Sequence, residues 1–143
     1  MKRITLAMGA AMVVASLVTV VPAATAQISV PPEKMQGTVA YVSGGIGRDE
    51  VDAIKHVAAQ YALELEFARK AIPRDEYVSD VKVLIKNQEG KPVLDTTSDG
   101  PLLLAKLPTG IYSVSVDRHG DTIQRVVQIK ADKHARLIFV WTK

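Results

Sequence analysis

The sequence predicts a mostly-β protein: an antiparallel β-sandwich preceded by a small strand-helix-strand unit. Three observations carry that reading. From residue 76 onward apolar residues recur with period two almost throughout, the repeat of strands with one buried face. Turns marked by Gly, Pro, Asn and Asp divide these runs at near-regular spacing, as in a sandwich. Only Asp49 to Tyr61 repeats with a helical period, and it lies between two short alternating runs.

The chain begins with Lys2 and Arg3, continues as an apolar run from Ile4 to Val21, and reaches Ala24-Thr25-Ala26. A positive start, an apolar middle and a small-x-small exit predict a secretory signal peptide over residues 1–26, cleaved before Gln27, and a periplasmic or secreted location. The apolar run approaches the length of a membrane span, but Pro22 and the Ala-x-Ala site favour cleavage. No cysteine follows the run to carry a lipid anchor, and no twin-arginine pair precedes it, so export by the general route is expected.

Residues 1–26 hold two of the 18 basic residues and none of the 15 acidic ones. The remainder carries sixteen basic against fifteen acidic residues, a net charge of +1. That balance does not point to nucleic acid or to an anionic membrane as partner. Residues 27–143 are long enough for one core without staples, and with no cysteine packing alone must hold them in an oxidising compartment.

Four segments are expected: the leader, a flexible tether over 27–36 with Pro31 and Pro32, the strand-helix-strand unit over 37–75, and the sandwich over 76–143. In the third, Val39, Tyr41 and Ser43 alternate with Ala40 and Val42. Gly44-Gly45-Ile46-Gly47 breaks that strand. Val51, Ile54, Ala58 and Tyr61 then share one helical face, with Asp49, Asp52, His56 and Gln60 opposite. Asp49, Glu50 and Asp52 complement the helix dipole. Leu63, Leu65 and Phe67 alternate with Glu64 and Glu66, which reads as a half-buried strand.

Past the charged connector with Pro73, Val81, Val83 and Ile85 mark a strand, and "NQEG" turns into "KPVLDTT", where Pro92 suits a strand's first residues. "SDG" turns into "PLLLAKL". Leu107-Pro108-Thr109-Gly110 then turns into "IYSVSV": Pro108 presets φ, and Gly110 is expected at positive φ. Register is fixed there, because a one-residue slip would bury Ser113 and Ser115. "DRHGD" reads as a hairpin turn with Gly120 at positive φ. "RLIFVWT" is apolar on both faces, as expected of a central strand.

The segment from about Asp80 to Val140 resembles carboxypeptidase regulatory-like domains, the prealbumin-like sandwiches also related to transthyretin. Val81, Val83, Gly90-Lys91-Pro92, Ser98-Asp99-Gly100 and above all Leu107-Pro108-Thr109-Gly110-Ile111-Tyr112 carry the resemblance. It departs after Gly100, where the family has a Phe-rich strand and this chain has Pro101-Leu102-Leu103-Leu104. The front half looks like that of small exported bacterial proteins that carry such a domain at their C-terminal end. The resemblance implies a prealbumin-like fold and no activity. Hydroxyisourate hydrolases, which resemble transthyretin, end in a Tyr-Arg-Gly-Ser signature. This chain ends Phe139-Val140-Trp141-Thr142-Lys143, and no His-x-x-Glu zinc site of a carboxypeptidase is present.

No catalytic, cofactor or metal residue is assigned. The Gly44–Gly47 loop lacks the Lys and Ser/Thr of a phosphate cradle, and Asp49 and Glu50 would repel phosphate. Asp52 and His56 have metal-ligand spacing but lie on a polar helix face. His119 and His134 fall in separate turns. Arg125, Lys130, Lys133, His134 and Arg136 gather basic charge at one end of the sandwich, a possible contact for an anionic envelope polymer. Trp141 could stack on a sugar or plug the core. The expected function is a non-catalytic exported envelope protein that binds a protein or glycan. The alternatives are a small hydrolase of the transthyretin-like class using His119 or His134, and a lectin-like module needing Trp141 or several tyrosines exposed.

Overall fold

The computed structural model describes residues 15–23 and 29–143. The cleavage point expected before Gln27, and most of the leader, lie outside the described residues. No described helix is long and apolar enough to cross a membrane.

The elements in chain order are β1 (Lys34–Gln36), β2 (Val39–Gly44), α1 (Arg48–Val57, extended by a short 3-10 turn Ala58–Gln60), β3 (Leu63–Arg69), β4 (Glu76–Tyr77), β5 (Lys82–Lys86), β6 (Pro92–Thr97), β7 (Leu102–Ala105), β8 (Gly110–Arg118), β9 (Asp121–Ile129) and β10 (Ala135–Trp141). They form a mostly-β sandwich. The larger sheet runs β1-β2-β7-β3-β10 with β4 paired to β3, and the smaller runs β6-β5-β8-β9. The longer strands send alternate residues into the shared core. Leu65, Phe67, Leu103 and Phe139 come from the larger sheet, and Val83, Ile85, Val114 and Val116 from the smaller.

The expected boundary near residue 75 is not a boundary between sheets. β7 inserts antiparallel between β2 and β3, and β10 pairs parallel with β3 from Ala135↔Leu63 to Trp141↔Arg69. Residues 37–75 and 76–143 therefore share one sheet. The C-terminal strand is also not central: it forms the edge beyond β3. Its Phe139 and Trp141 are buried inward, whereas Ile138 on the outer face is 38% exposed.

The segment expected as a tether is partly structured. Residues 34–36 pair with β2 across a two-residue turn, Gly37-Thr38. The Gln36 side chain extends that pairing to the other sheet, accepting from the Asp95 amide at 2.6 Å and donating to its carbonyl at 2.8 Å. The backbone groups of Asp95 on the open edge of β6 are thus paired, which blunts that edge at one position.

The Leu-Pro-Thr-Gly turn works differently from the expectation. Gly110 is absent from the positive-φ residues and starts β8. The corner is held instead by the Tyr112 hydroxyl, which donates to the Pro108 carbonyl at 2.8 Å. A Cβ on Gly110 would meet the Tyr112 ring at an ordinary 3.5 Å, so strain does not explain this glycine. At the β8–β9 hairpin, Gly120 (φ 84°) does take positive φ, and so does His119 (φ 53°). Such a pair suits a two-residue hairpin turn.

Candidate functional site

Helix α1 lies on the outer face of the larger sheet. Ile54, Ala58 and Tyr61 pack against Val42, Leu102 and Leu104, on β2 and β7. That cover explains why β7 is buried on both faces and reads Leu-Leu-Leu-Ala rather than alternating. Beside the helix, β3 presents Glu64 and Glu66 on the same outer face, because strand side chains two apart point the same way.

Both carboxylates are buried, at 5% and 8% exposure, which overturns their reading as the solvent side of a half-buried strand. Buried carboxylates must be paired, and the parallel register of β10 supplies the partners. Arg136 sits opposite Glu64. Its Nη2 donates to Glu66 Oε2 at 2.6 Å, and its Nε lies 3.8 Å from Glu64 Oε1. His134 Nε2 is 2.7 Å from Glu64 Oε2, while Nδ1 is 2.8 Å from the Tyr61 carbonyl oxygen. Lys55 Nζ, from α1, lies 3.8 Å from Glu66 Oε2 and donates to the Tyr77 hydroxyl at 3.4 Å. The hydrogen bond it donates to Glu66 holds the Arg136 guanidinium above its ordinary pKa, with burial opposing and the charges of both glutamates adding.

This ladder is chemically closed. A carbonyl oxygen only accepts, so His134 Nδ1 carries a proton and donates it to Tyr61. The other ring nitrogen is occupied by Glu64. A general base needs a free nitrogen facing a substrate, and His134 presents none. No buried side-chain nitrogen or oxygen among the described residues lacks a partner. His134 is therefore a brace between β3 and the turn before β10. Its substitution would disturb the fold, contrary to what a solvated turn histidine would do.

The other histidines do not converge on it. His56 is exposed on α1 beside Asp52 and Asp49. His119 is at the β8–β9 hairpin tip, where the neighbouring Asp117 accepts from the Gly120 amide at 3.2 Å and the Thr122 hydroxyl at 2.7 Å. Among the described residues no group of three His, Asp or Glu is placed to hold a metal. The Gly44–Gly47 loop is filled by the chain's own carboxylate, since Glu50 Oε1 accepts from the amides of Gly45 at 2.7 Å and Ile46 at 3.4 Å.

Of the five basic residues expected at one end, the structure brings three together. Lys130, Lys133 and His134 line a cleft of about 580 Å³ with Tyr61, Leu107, Thr109 and the acidic Asp132. Lys130 and Lys133 are exposed and make no ion pair among the described residues. Arg136 is turned to the glutamates instead. Arg125 lies over the Phe139 ring, 5.1 Å from its centroid, and covers the open side of the core. Trp141 is 2% exposed, and of the four tyrosines Tyr41, Tyr61 and Tyr112 are buried. An aromatic platform for sugar stacking is therefore absent from the described residues.

The cleft wall is tied to the N-terminal segment. Tyr61 donates to Glu33 Oε2 at 2.6 Å, Lys106 Nζ is 3.2 Å from the same oxygen, and Lys106 lies over the Tyr61 ring. Burial, then Glu33, pushes the Tyr61 hydroxyl up to about 12. The Tyr61 hydrogen bond, then Lys106, holds Glu33 below its ordinary 4.5. A lowered carboxylate pKa contributes stability above the unfolded value, and that stability is lost as pH falls through the folded value. The melting-temperature difference between wild type and Glu33→Gln is thus expected to be full at pH 6 and to shrink towards pH 3. A difference independent of pH would contradict the Tyr61–Glu33 contact.

Sequence reasoning missed Glu64 and Glu66. The available signal was the spacing itself: Glu-Leu-Glu on one strand and His-Ala-Arg near another, acid and base both two apart. No protein-family model matches this chain, and no curated protein matches it.

Proposed function

We propose that the chain is a non-catalytic, exported binding module of the bacterial envelope, of the carboxypeptidase regulatory-like class, which holds an acidic protein segment or anionic glycan at the Lys130–Lys133 cleft. The leader pattern of residues 1–26 supports export. The four-stranded sheet β6-β5-β8-β9 and the Tyr112–Pro108 corner support the class. The single observation that carries the binding reading is the contrast in charge. Arg136 and His134 are matched by Glu66 and Glu64, whereas Lys130 and Lys133, two cations against the one Asp132 of the same cleft, make no ion pair among the described residues. Exposed unpaired cations attract an acidic partner and raise its association rate. The closed ladder supports the non-catalytic part, because it leaves His134 no nitrogen for proton transfer.

The test is affinity capture from a periplasmic extract with wild type and with the Lys130→Glu/Lys133→Glu double variant. Both positions are exposed, so the two proteins are expected to melt alike. The reading expects a retained partner that elutes with salt and is lost with the double variant. Equal retention by both proteins would overturn it.

A further inference from the structure

A second cleft, of about 440 Å³, opens at the other end of α1. Its floor is apolar, made of Val51, Val78 and Pro101, and its rim carries Ile46, Tyr77 and Arg48. We propose that it binds a medium-chain aliphatic carboxylate, with the chain on the apolar floor and the carboxylate on Arg48.

The cleft is preformed. Gly45 and Gly47 hold positive φ, and the Glu50 carboxylate clamps the amides of Gly45 and Ile46. The loop also sits hard on the floor: a Cβ on Gly45 would come within 3.2 Å of Pro101 and 3.3 Å of Val51. Across the gap, the Val78 amide donates to the Phe67 carbonyl at 3.1 Å, fixing the opposite wall. A rigid wall on each side costs a ligand little ordering.

The rim selects the ligand. Ile46 is 64% exposed and Tyr77 47% exposed, so two large apolar side chains stand in water beside an apolar floor, and an apolar body would cover them. Arg48 is exposed and has no ion pair among the described residues. Glu50, two residues on from Arg48, does not line the cleft, and its carboxylate is held by the loop amides. Asp49 and Asp52 line a different cleft. One arginine lining an otherwise apolar cleft matches a single carboxylate on an apolar chain. A cationic amphiphile would be repelled by Arg48.

The experiment is an amide and methyl NMR titration of the protein with decanoate below its micelle concentration, and with a decyl ammonium salt as the cationic control. The expected result is saturable shifts confined to Gly45, Ile46, Gly47, Val51 and Val78 with decanoate and none with the cation. Arg48→Gln is expected to weaken decanoate roughly tenfold, and Ile46→Asp, at an exposed site, to abolish its binding. Lys130→Glu/Lys133→Glu is expected to leave it unchanged, which separates this site from the lysine cleft. Absence of saturable shifts, equal response to the cation, or affinity indifferent to Arg48→Gln would each overturn the proposal.

Discussion

Replacing Trp141 by Ala is expected to lower the unfolding free energy by about 3–5 kcal/mol, the range for a buried aromatic cut to a methyl. The indole is 2% exposed, and its ring centroid lies 6.4 Å from that of Phe67, which is itself 6.1 Å from Phe139. Its Nε1 donates to the Asp121 carbonyl at 2.9 Å, so the substitution also removes a tie to the start of β9. Trp141 thus joins the edge of the larger sheet to the edge of the smaller. For a domain worth about 5–15 kcal/mol, that loss would leave little margin. Urea denaturation measures it directly. A loss under about 1 kcal/mol would mean that the indole is a surface group, and would restore it as a sugar-stacking residue.

Gly100→Ala is expected to cost about 3 kcal/mol, at the upper end for overpacking, because the obstacle is backbone. A Cβ on Gly100 would collide with the carbonyl carbon and oxygen of Gly44. Neither can move alone. Gly44 is in register with Leu102 across β2 and β7. The Asp99 amide donates to Ser43 Oγ at 2.8 Å, and the Phe67 amide to the Pro101 carbonyl at 2.9 Å. Relief would have to part three strands. By contrast, a Cβ on Gly110 meets only ordinary contact, so Ala there is expected to be tolerated. Equal melting temperatures for wild type and Gly100→Ala would contradict this close approach.

The legible part of the fold was local. Val81, Val83 and Ile85 on β5, and Tyr112, Val114 and Val116 on β8, alternate in sequence and face the core in the structure. The helical face of Ile54, Ala58 and Tyr61 was equally plain. What sequence pattern could not carry was long-range pairing. Glu64 and Arg136 are 72 residues apart in the chain, and only the parallel β3–β10 register makes them neighbours. Without that register Glu64 and Glu66 look solvated, and Ile138 and Val140 make an edge strand look central. The same gap hid the shared sheet that unites residues 37–75 with 76–143. Gly110 was misread for a different reason: its turn is held by the Tyr112 hydroxyl rather than by backbone geometry. Of the basic cluster, the grouping of Lys130 and Lys133 was legible because one short turn holds them. Arg125, His134 and Arg136 were not, because each is claimed by a partner on another strand.

β3 and β10, braced by the Glu64–His134–Arg136 ladder, fuse the front of the chain to its end in one sandwich. Native-state hydrogen exchange tests it most directly, because amides in one cooperative unit open with one free energy. The amides of Leu65 and Phe67 on β3 are expected to exchange with the same opening free energy as those of Leu103 on β7 and Val114 on β8. Exchange of the β2 and β3 amides through a separate, cheaper opening, with β5 to β9 still protected, would contradict it.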